Sequence, residues 1–347
     1  MRPAGGRVPI AGALKVRLGH LAPFTSSVAG TLADVRRQDG TLLIPMSVPY
    51  GTIADYASRP PGTYDLKVTA PGGTPTLIDP MPAMFGAGEI LSVFAVGDGA
   101  NQPLGIFVLP SDQKGFFLDL AAALQLAHLA PFASDAAVTV WIDGEPTLPD
   151  LDFADSTGYL PLTATVDHLV EIVPSGAVSP VFSTTINLDH PQEYTAIAIG
   201  GASGWGLGLE LRQDDNTPPE TDGAFKARLG HLAPFAPTPA GILAEVRRQD
   251  GMLLLPTSIP YGTILDYAEL EAEAYDLKIT APGGAPTLID PLRTRFAEDD
   301  IVSVFAVGDG TNQPLGVFAL PAGEPGTLLP LDNYRHRLPV VMENTAP

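Results

Sequence analysis

Apolar and polar residues alternate along much of this chain with period two, the spacing that sends successive side chains to opposite faces of a strand. Leu14, Val16 and Leu18 alternate with Lys15, Arg17 and Gly19. Tyr64, Leu66 and Val68 alternate with Asp65, Lys67 and Thr69, which predicts a clean half-buried strand. Ile90 to Val96 is instead a nearly unbroken run of β-favouring apolar residues, as expected of a central strand with little solvent on either side. Shorter strands are predicted at 31–37, 42–44, 76–78 and 104–109, with Gln38-Asp39-Gly40, Pro60-Pro61-Gly62 and Pro71-Gly72-Gly73 supplying turns. Further on, Val138, Val140 and Ile142 face one side of a strand, and Thr139 and Trp141 face the other. Phe116 to Leu120 reads as an extra strand or a packed tail, and Ala121 to Leu124 as a helical turn that runs into the next strand.

These patterns recur. Leu18-Gly19-His20-Leu21-Ala22-Pro23-Phe24 and Ser92-Val93-Phe94-Ala95-Val96-Gly97-Asp98-Gly99 return letter for letter at 229–235 and 303–310, both at a shift of 211 residues. A weaker copy lies between, opening on Leu126-Ala127-His128-Leu129-Ala130-Pro131-Phe132. Three copies of about 105 residues follow, each the size of a sandwich domain with its own core. The expected organisation is three tandem all-β domains at 1–112, 113–215 and 216–347. Many short strands with Gly/Pro turns point to Greek-key β-sandwiches, with a small closed barrel as the alternative. The stretch 214–223, polar and interrupted by proline, reads as a linker, and 332–347 has no counterpart in the other copies. Within it, 338–342 is a candidate edge strand that packs on its own chain or, less favoured, on a neighbouring molecule.

Charge refines this picture. The chain carries 39 acidic and 19 basic residues, a formal charge of −20, which disfavours a general nucleic-acid binder. The excess is uneven: residues 1–112 are balanced at 8 and 8, residues 113–215 hold 14 acids against 2 bases, and residues 216–347 hold 17 against 9. The middle copy is therefore a solvated acidic surface or a docking point for a cation or basic partner. Without cysteine there is no disulfide framework and no thiolate site. Every apolar run is far too short for a bilayer span, and the opening residues do not make a signal peptide.

Little in the sequence resembles a catalytic constellation, and no catalytic, cofactor-binding or metal-binding residues are assigned. His20, His128 and His231 hold the same place in the three copies and read as buried structural residues. One site per domain, with Asp79 or Asp290, or with Asp98 or Asp309, as the partner acid, is the alternative. His168, His190 and His336 are isolated. There is no His-Glu-x-x-His pair, no complete nucleophile elbow and no phosphate loop. Asp98 with Asn101, and Asp309 with Asn312, offer oxygens to a calcium ion, but a hard cation takes six to eight, so a self-capping turn is favoured. Asp150, Asp152 and Asp155 carry the same pair of readings. Tyr50, Tyr56, Tyr261 and Tyr267 with Phe24 and Phe235 either line a carbohydrate or peptide face or, the favoured reading, belong to the core or an interface.

His20-Leu21-Ala22-Pro23, Asp39-Gly40, Tyr50-Gly51-Thr52 with Tyr56, Pro61-Gly62-Thr63-Tyr64 and Val96-Gly97-Asp98 together resemble the DUF4397 family of uncharacterised repeat domains. The resemblance covers some nine-tenths of the chain, and the middle copy lacks the Pro-Gly-Thr-Tyr turn. It implies immunoglobulin-like or transthyretin-like sandwiches, in tandem, in secreted, periplasmic or cell-surface proteins, and brings no activity, cofactor or catalytic residue. The leading expectation is a non-catalytic structural or adhesive surface protein, a spacer or an assembly subunit with a protein partner or self-assembly. A binding module for a glycan, peptide or small ligand is the alternative, and an enzyme would need His20 or His231 exposed beside an acid.

Overall fold

The computed structural model describes residues 12–25, 31–132, 137–236, 242–255 and 257–332. Every regular element longer than one residue among them is a β-strand. The expected strand at 338–342 and His336 lie outside the described residues. The chain divides into two compact units, one of residues 1–124, 160–168 and 186–194, the other of 125–159, 169–185 and 195–347.

In the first unit one sheet runs in the order Phe116–Phe117, Gly105–Pro110, Ile90–Val96, Leu14–His20, Thr52–Ile53, with Ala57–Arg59 also paired to the Leu14–His20 strand. Leu14–His20 and Ile90–Val96 run parallel, Leu18 opposite Val93, while the remaining pairs of this sheet are antiparallel. The second sheet is Asp34–Arg37, Leu66–Thr69, Thr76–Ile78. Leu14, Val68, Ile78, Leu91, Ile106 and Val108 close the core between them. The alternation at Leu66 and Val68 and the run at 90–96 thus emerge as strands, and the Phe116–Phe117 stretch as an edge strand with Phe117 opposite Phe107. Residues 121–124 form no helical turn. They open the strand Ala121–His128, with Ala121 opposite Thr163, because cross-strand pairing overrides local helix propensity even for alanine, the best helix former.

In the second unit the third repeat reproduces this plan. Its larger sheet runs Thr327–Leu328, Gly316–Pro321, Ile301–Val307, Ala224–His231, Thr263–Ile264, and Leu229 lies opposite Val304 in the parallel pair. A second sheet of Ile259–Pro260, Leu243–Arg248, Leu277–Thr280 and Thr287–Ile289 accompanies it. The middle repeat contributes the strand Val138–Ile142, with buried Val138, Val140 and Ile142 alternating as the sequence predicts, and Val140 opposite Ile172. A further core joins the middle and third repeats. Ala127, Leu129, Ile197 and Ile199 pack against Leu232, Phe305, Val307, Phe318 and Leu320, all buried.

Candidate functional site

The outer face of the large sheet in the first repeat is the candidate site, because its counterpart in the third repeat shows what such a face can hold. Side chains that point away from the sandwich core are Arg17 on the opening strand, Phe94 and Val96 on the central strand, and Phe107 and Leu109 on the next. Phe94 can lie flat across the neighbouring strand only because residue 19 is glycine. A Cβ there would come within 2.6 Å of the ring, and Gly230 stands in the same relation to Phe305 at 2.7 Å. Arg17 donates from Nε to Ser92 Oγ at 2.8 Å and lies over the Tyr56 ring at 4.8 Å. Phe94 and Phe107 are half-buried, and Leu109, Phe116 and Phe117 are 40%, 46% and 62% exposed.

The arginine stack and the central rings recur in the third repeat, but covered, while the edge strand Thr327–Leu328 stays exposed as Phe116–Phe117 does. Arg228 donates to Ser303 Oγ at 2.7 Å and lies 4.8 Å over Tyr267, while Phe305, Val307 and Phe318 are fully buried beneath Ile197 and its neighbours. Burying the guanidinium needs a counter-charge. Asp214 supplies it at 2.7 Å, itself held by Thr195 Oγ1 and by the Tyr159 hydroxyl, and Thr195 also accepts a bond from Arg228. Next to it Lys226 pairs with Asp215 at 2.6 Å. The stretch that reads as a linker is therefore anchored at its start: Asp214 and Asp215 are consumed as counter-ions by a strand whose outward cations have been sealed from water. Composition alone hides this, since a solvated acid and a paired one are the same letter.

The remaining candidate residues fall apart into local roles. His20 Nε2 donates to Thr31 O at 2.6 Å, and its ring stacks on Phe24 with Tyr50 at its edge. His231 repeats this with Ile242 O, Phe235 and Tyr261. His128 packs on Phe132 and is 3% exposed. Burial pushes His128 and His231 down to about 4, against the partial pull of Asp155 on the first and of the Ile242 carbonyl on the second. The tyrosines proposed as a glycan or peptide face are divided between these histidine nests and the Arg17 and Arg228 stacks. Asp98 Oδ1 accepts from the amides of residues 102, 101 and 100, which hold its carboxyl well below the usual range. Asp309 Oδ1 accepts the matching bonds from the amides of residues 311 to 313. Asp150 and Asp155 accept from Ser175 Oγ and from the amide of Asp152. Asp79 accepts from Gln38 at 2.7 Å and its own amide faces His190, while Asp290 accepts from Gln249 at 2.6 Å. No group of acids and histidines among the described residues could hold a metal ion. No described helix is long and apolar enough to cross a membrane.

Fold and site together define a tandem-repeat β-sandwich protein with a repeated, strand-built outer face. Two matches to the domain of unknown function DUF4397, at residues 15–135 and 122–238, cover well over half of the chain, which belongs to this family. A search of the curated proteins finds no match. Among solved structures the chain is similar to the Bacillus anthracis TIE protein (11% identity, TM-score 0.16, 85% of this chain and 50% of that one). It is also similar to the major pilin subunit of Bacillus cereus (8% identity, TM-score 0.13, 85% of this chain and 98% of that one). The chain spans half the length of the first of these, and at such TM-scores neither bears on its architecture.

Proposed function

We propose that the protein is a non-catalytic assembly subunit of the cell surface or extracellular space, and that the outer face of its first repeat binds a second copy of the chain. One observation carries this reading: the residues left half-exposed around Phe94 and Phe107 are the ones sealed beneath another sheet around Phe305 and Phe318. A face already built to lie under a sheet is chemically suited to take one again, and an uncovered apolar patch with a polar rim marks an association surface. Charge favours a head-to-tail contact, since residues 1–112 are balanced while 113–215 hold 14 acids against 2 bases. Such a contact joins unlike surfaces and propagates. Arg17, which has no counterpart of Asp214 beside it in the sequence of the first repeat, would take its carboxylate from the partner.

Membership of the family, together with the parallel pairing of the opening and central strands in the first and third repeats, supports assignment of the repeats to the immunoglobulin-like or transthyretin-like Greek-key class. The placement outside the cytoplasm rests on what that family resemblance implies. The non-catalytic part is supported by the buried, carbonyl-bonded state of His20 and His231.

Sedimentation velocity at rising protein concentration tests the assembly. The wild-type chain is expected to associate, less so at high salt, and the double variant Phe94→Lys, Phe107→Lys to stay monomeric while still folding cooperatively, with its unfolding midpoint lowered by the loss of two half-buried rings. A wild-type chain that stays monomeric throughout, or a double variant that associates equally well, would overturn the proposal.

A further inference from the structure

The interior of the first repeat holds a second feature, independent of its outer face. An apolar cavity of about 400 Å3 lies between the two sheets, where the third repeat keeps about 70 Å3 and the middle repeat about 20 Å3. Its size falls within the range of small-molecule sites, roughly 300–1,000 Å3. It follows the opening strand from end to end: Leu14, opposite Arg59, lies at one end, and His20, opposite Thr52, at the other. At about 3.3 Å per residue this is a span of roughly 20 Å, so the space is long rather than round.

Close packing is the rule in protein interiors, and the third repeat shows how this space is filled. At the 211-residue shift Leu14 becomes Phe225, and Arg59 becomes Leu270. The Phe225 ring stacks on Phe296 at 4.8 Å and 7° and meets Tyr275 at 5.8 Å, while Leu270 packs against the same cluster. In the first repeat the counterparts Phe85 and Tyr64 face each other at 6.1 Å with no third ring between them. Two side chains that fill the third repeat are thus absent from the first, although the sequences around them are nearly the same.

The rim also differs in charge. Arg59 is exposed on the edge of the first cavity, its guanidinium donating one long bond of 3.4 Å to the Ser58 carbonyl, and Lys67 also lines the space. Asp55 stands on the same rim, and the charge of Lys67 is shared with Asp79, so Arg59 is the cation on which a head group would rest. In the third repeat the residue in place of Arg59 is apolar and is flanked by Glu269 and Glu271. We infer that the first repeat binds a single-chain anionic amphiphile, an aliphatic carboxylate of the fatty-acid kind, with its chain along Leu14–His20 and its head at Arg59. The apolar walls bury the chain by the hydrophobic effect, and a charge-assisted hydrogen bond from the guanidinium orients the head.

Titration of the full chain with palmitate, hexadecanol and hexadecylamine, followed by displacement of a fluorescent fatty-acid probe, tests the inference. Palmitate is expected to bind at one saturable site, hexadecanol about tenfold more weakly for want of the charge-assisted bond, and hexadecylamine more weakly still. Leu14→Phe, which installs the residue of the third repeat, is expected to abolish binding while circular dichroism and the unfolding midpoint hold. Arg59→Leu, a change on the exposed rim, is expected to bring palmitate down to the level of hexadecanol. Absence of saturable palmitate binding, palmitate binding that survives Leu14→Phe, or equal binding of the amine and the acid would each overturn it. Should Leu14→Phe fail to fold, an Arg59→Leu chain that still prefers palmitate over hexadecanol would do so instead.

Discussion

Phe94 and Phe305 occupy the same register of the same strand, in blocks whose sequences are identical, yet one ring meets solvent and the other is sealed under a sheet. Arg17 and Arg228 make the same bond to a serine and the same stack on a tyrosine, but only the second has a carboxylate at 2.7 Å and 3% exposure. Local sequence therefore fixes the shape of this face, while its surroundings set what each residue contributes to stability. The interior runs the other way. There the surroundings are alike, and single residues, Leu14 against Phe225 and Arg59 against Leu270, set how much space is left.

The sharpest way to break the first comparison is to remove the paired rings. Phe305→Ala should cost about 4 kcal/mol, since a fully buried phenylalanine loses both its transfer energy and the packing around the hole. Phe94→Ala, half-exposed to begin with, should cost about 1 kcal/mol. Equal losses in urea unfolding would mean that the first face is covered too. The counter-ions come next. Asp214→Ala leaves Arg228 charged and buried and should cost about 3 kcal/mol, whereas Arg17→Met should change stability by no more than about 1 kcal/mol.

Much of this plan can be read from the amino-acid sequence alone. Alternation at Leu14 to Leu18 marks a strand, whereas Tyr64 to Thr69 divides between two, Gly62–Tyr64 and Leu66–Thr69, in different sheets, and Thr69 is buried rather than outward. The apolar run at 90–96 marks the central strand, although its outer face at Phe94 and Val96 is half-exposed in this repeat rather than shielded. The self-capping turns at Asp98 and Asp309 follow from the side chain and its neighbours alone. What stays hidden are contacts set far along the chain. The same letters at 303–310 and 92–99 cannot reveal which copy is covered. Nor does Asp214, in a polar proline-rich stretch, announce that Arg228 will claim it. The strands Ala57–Arg59 and Ala83–Phe85 are short and weakly patterned, and they form because the neighbouring strands offer partners. The cavity was within reach of the sequence, since aligning the repeats sets Leu14 against Phe225, but its meaning depends on knowing that this position points inward.

Acid sharpens the comparison for the buried histidines. His128 and His231 are held neutral by burial, down to about 4, against 6.5 for a free ring. The unfolded chain therefore takes up protons before the folded one does, and stability is lost as the pH falls from about 6.5 towards 4 and then levels off. Each ring should account for about 2 kcal/mol between pH 7 and pH 5. A His231→Asn chain should show a correspondingly shallower slope in unfolding measured across that window, and an unchanged slope would mean that the ring is solvated.

The smallest expected effect has the opposite sign and lies in the first repeat. Asp79 is pushed up to about 6, chiefly by burial and secondarily by Asp65 and Glu193, against the hydrogen bond from Gln38 and the charge of Lys67. An acid whose folded pKa is raised binds its proton more tightly in the folded state. Its contribution is favourable to folding at low pH, declines as the pH rises from about 4 to 6, and above that leaves a constant penalty. Asp79→Asn removes the charge while retaining an oxygen to accept from Gln38, so it should stabilise the chain by about 1 kcal/mol above pH 6, a figure discounted for the part of the side chain that water still reaches. Below about pH 4 the gain should vanish, because the native residue is then protonated in both states. Asp290 accepts the matching bond from Gln249 at 2.6 Å, so Asp290→Asn serves as the control for losing a carboxylate in that bond. A gain confined to Asp79→Asn and to the higher pH range would tie the effect to the burial of that one acid. A gain present at every pH would instead assign it to better packing of the amide.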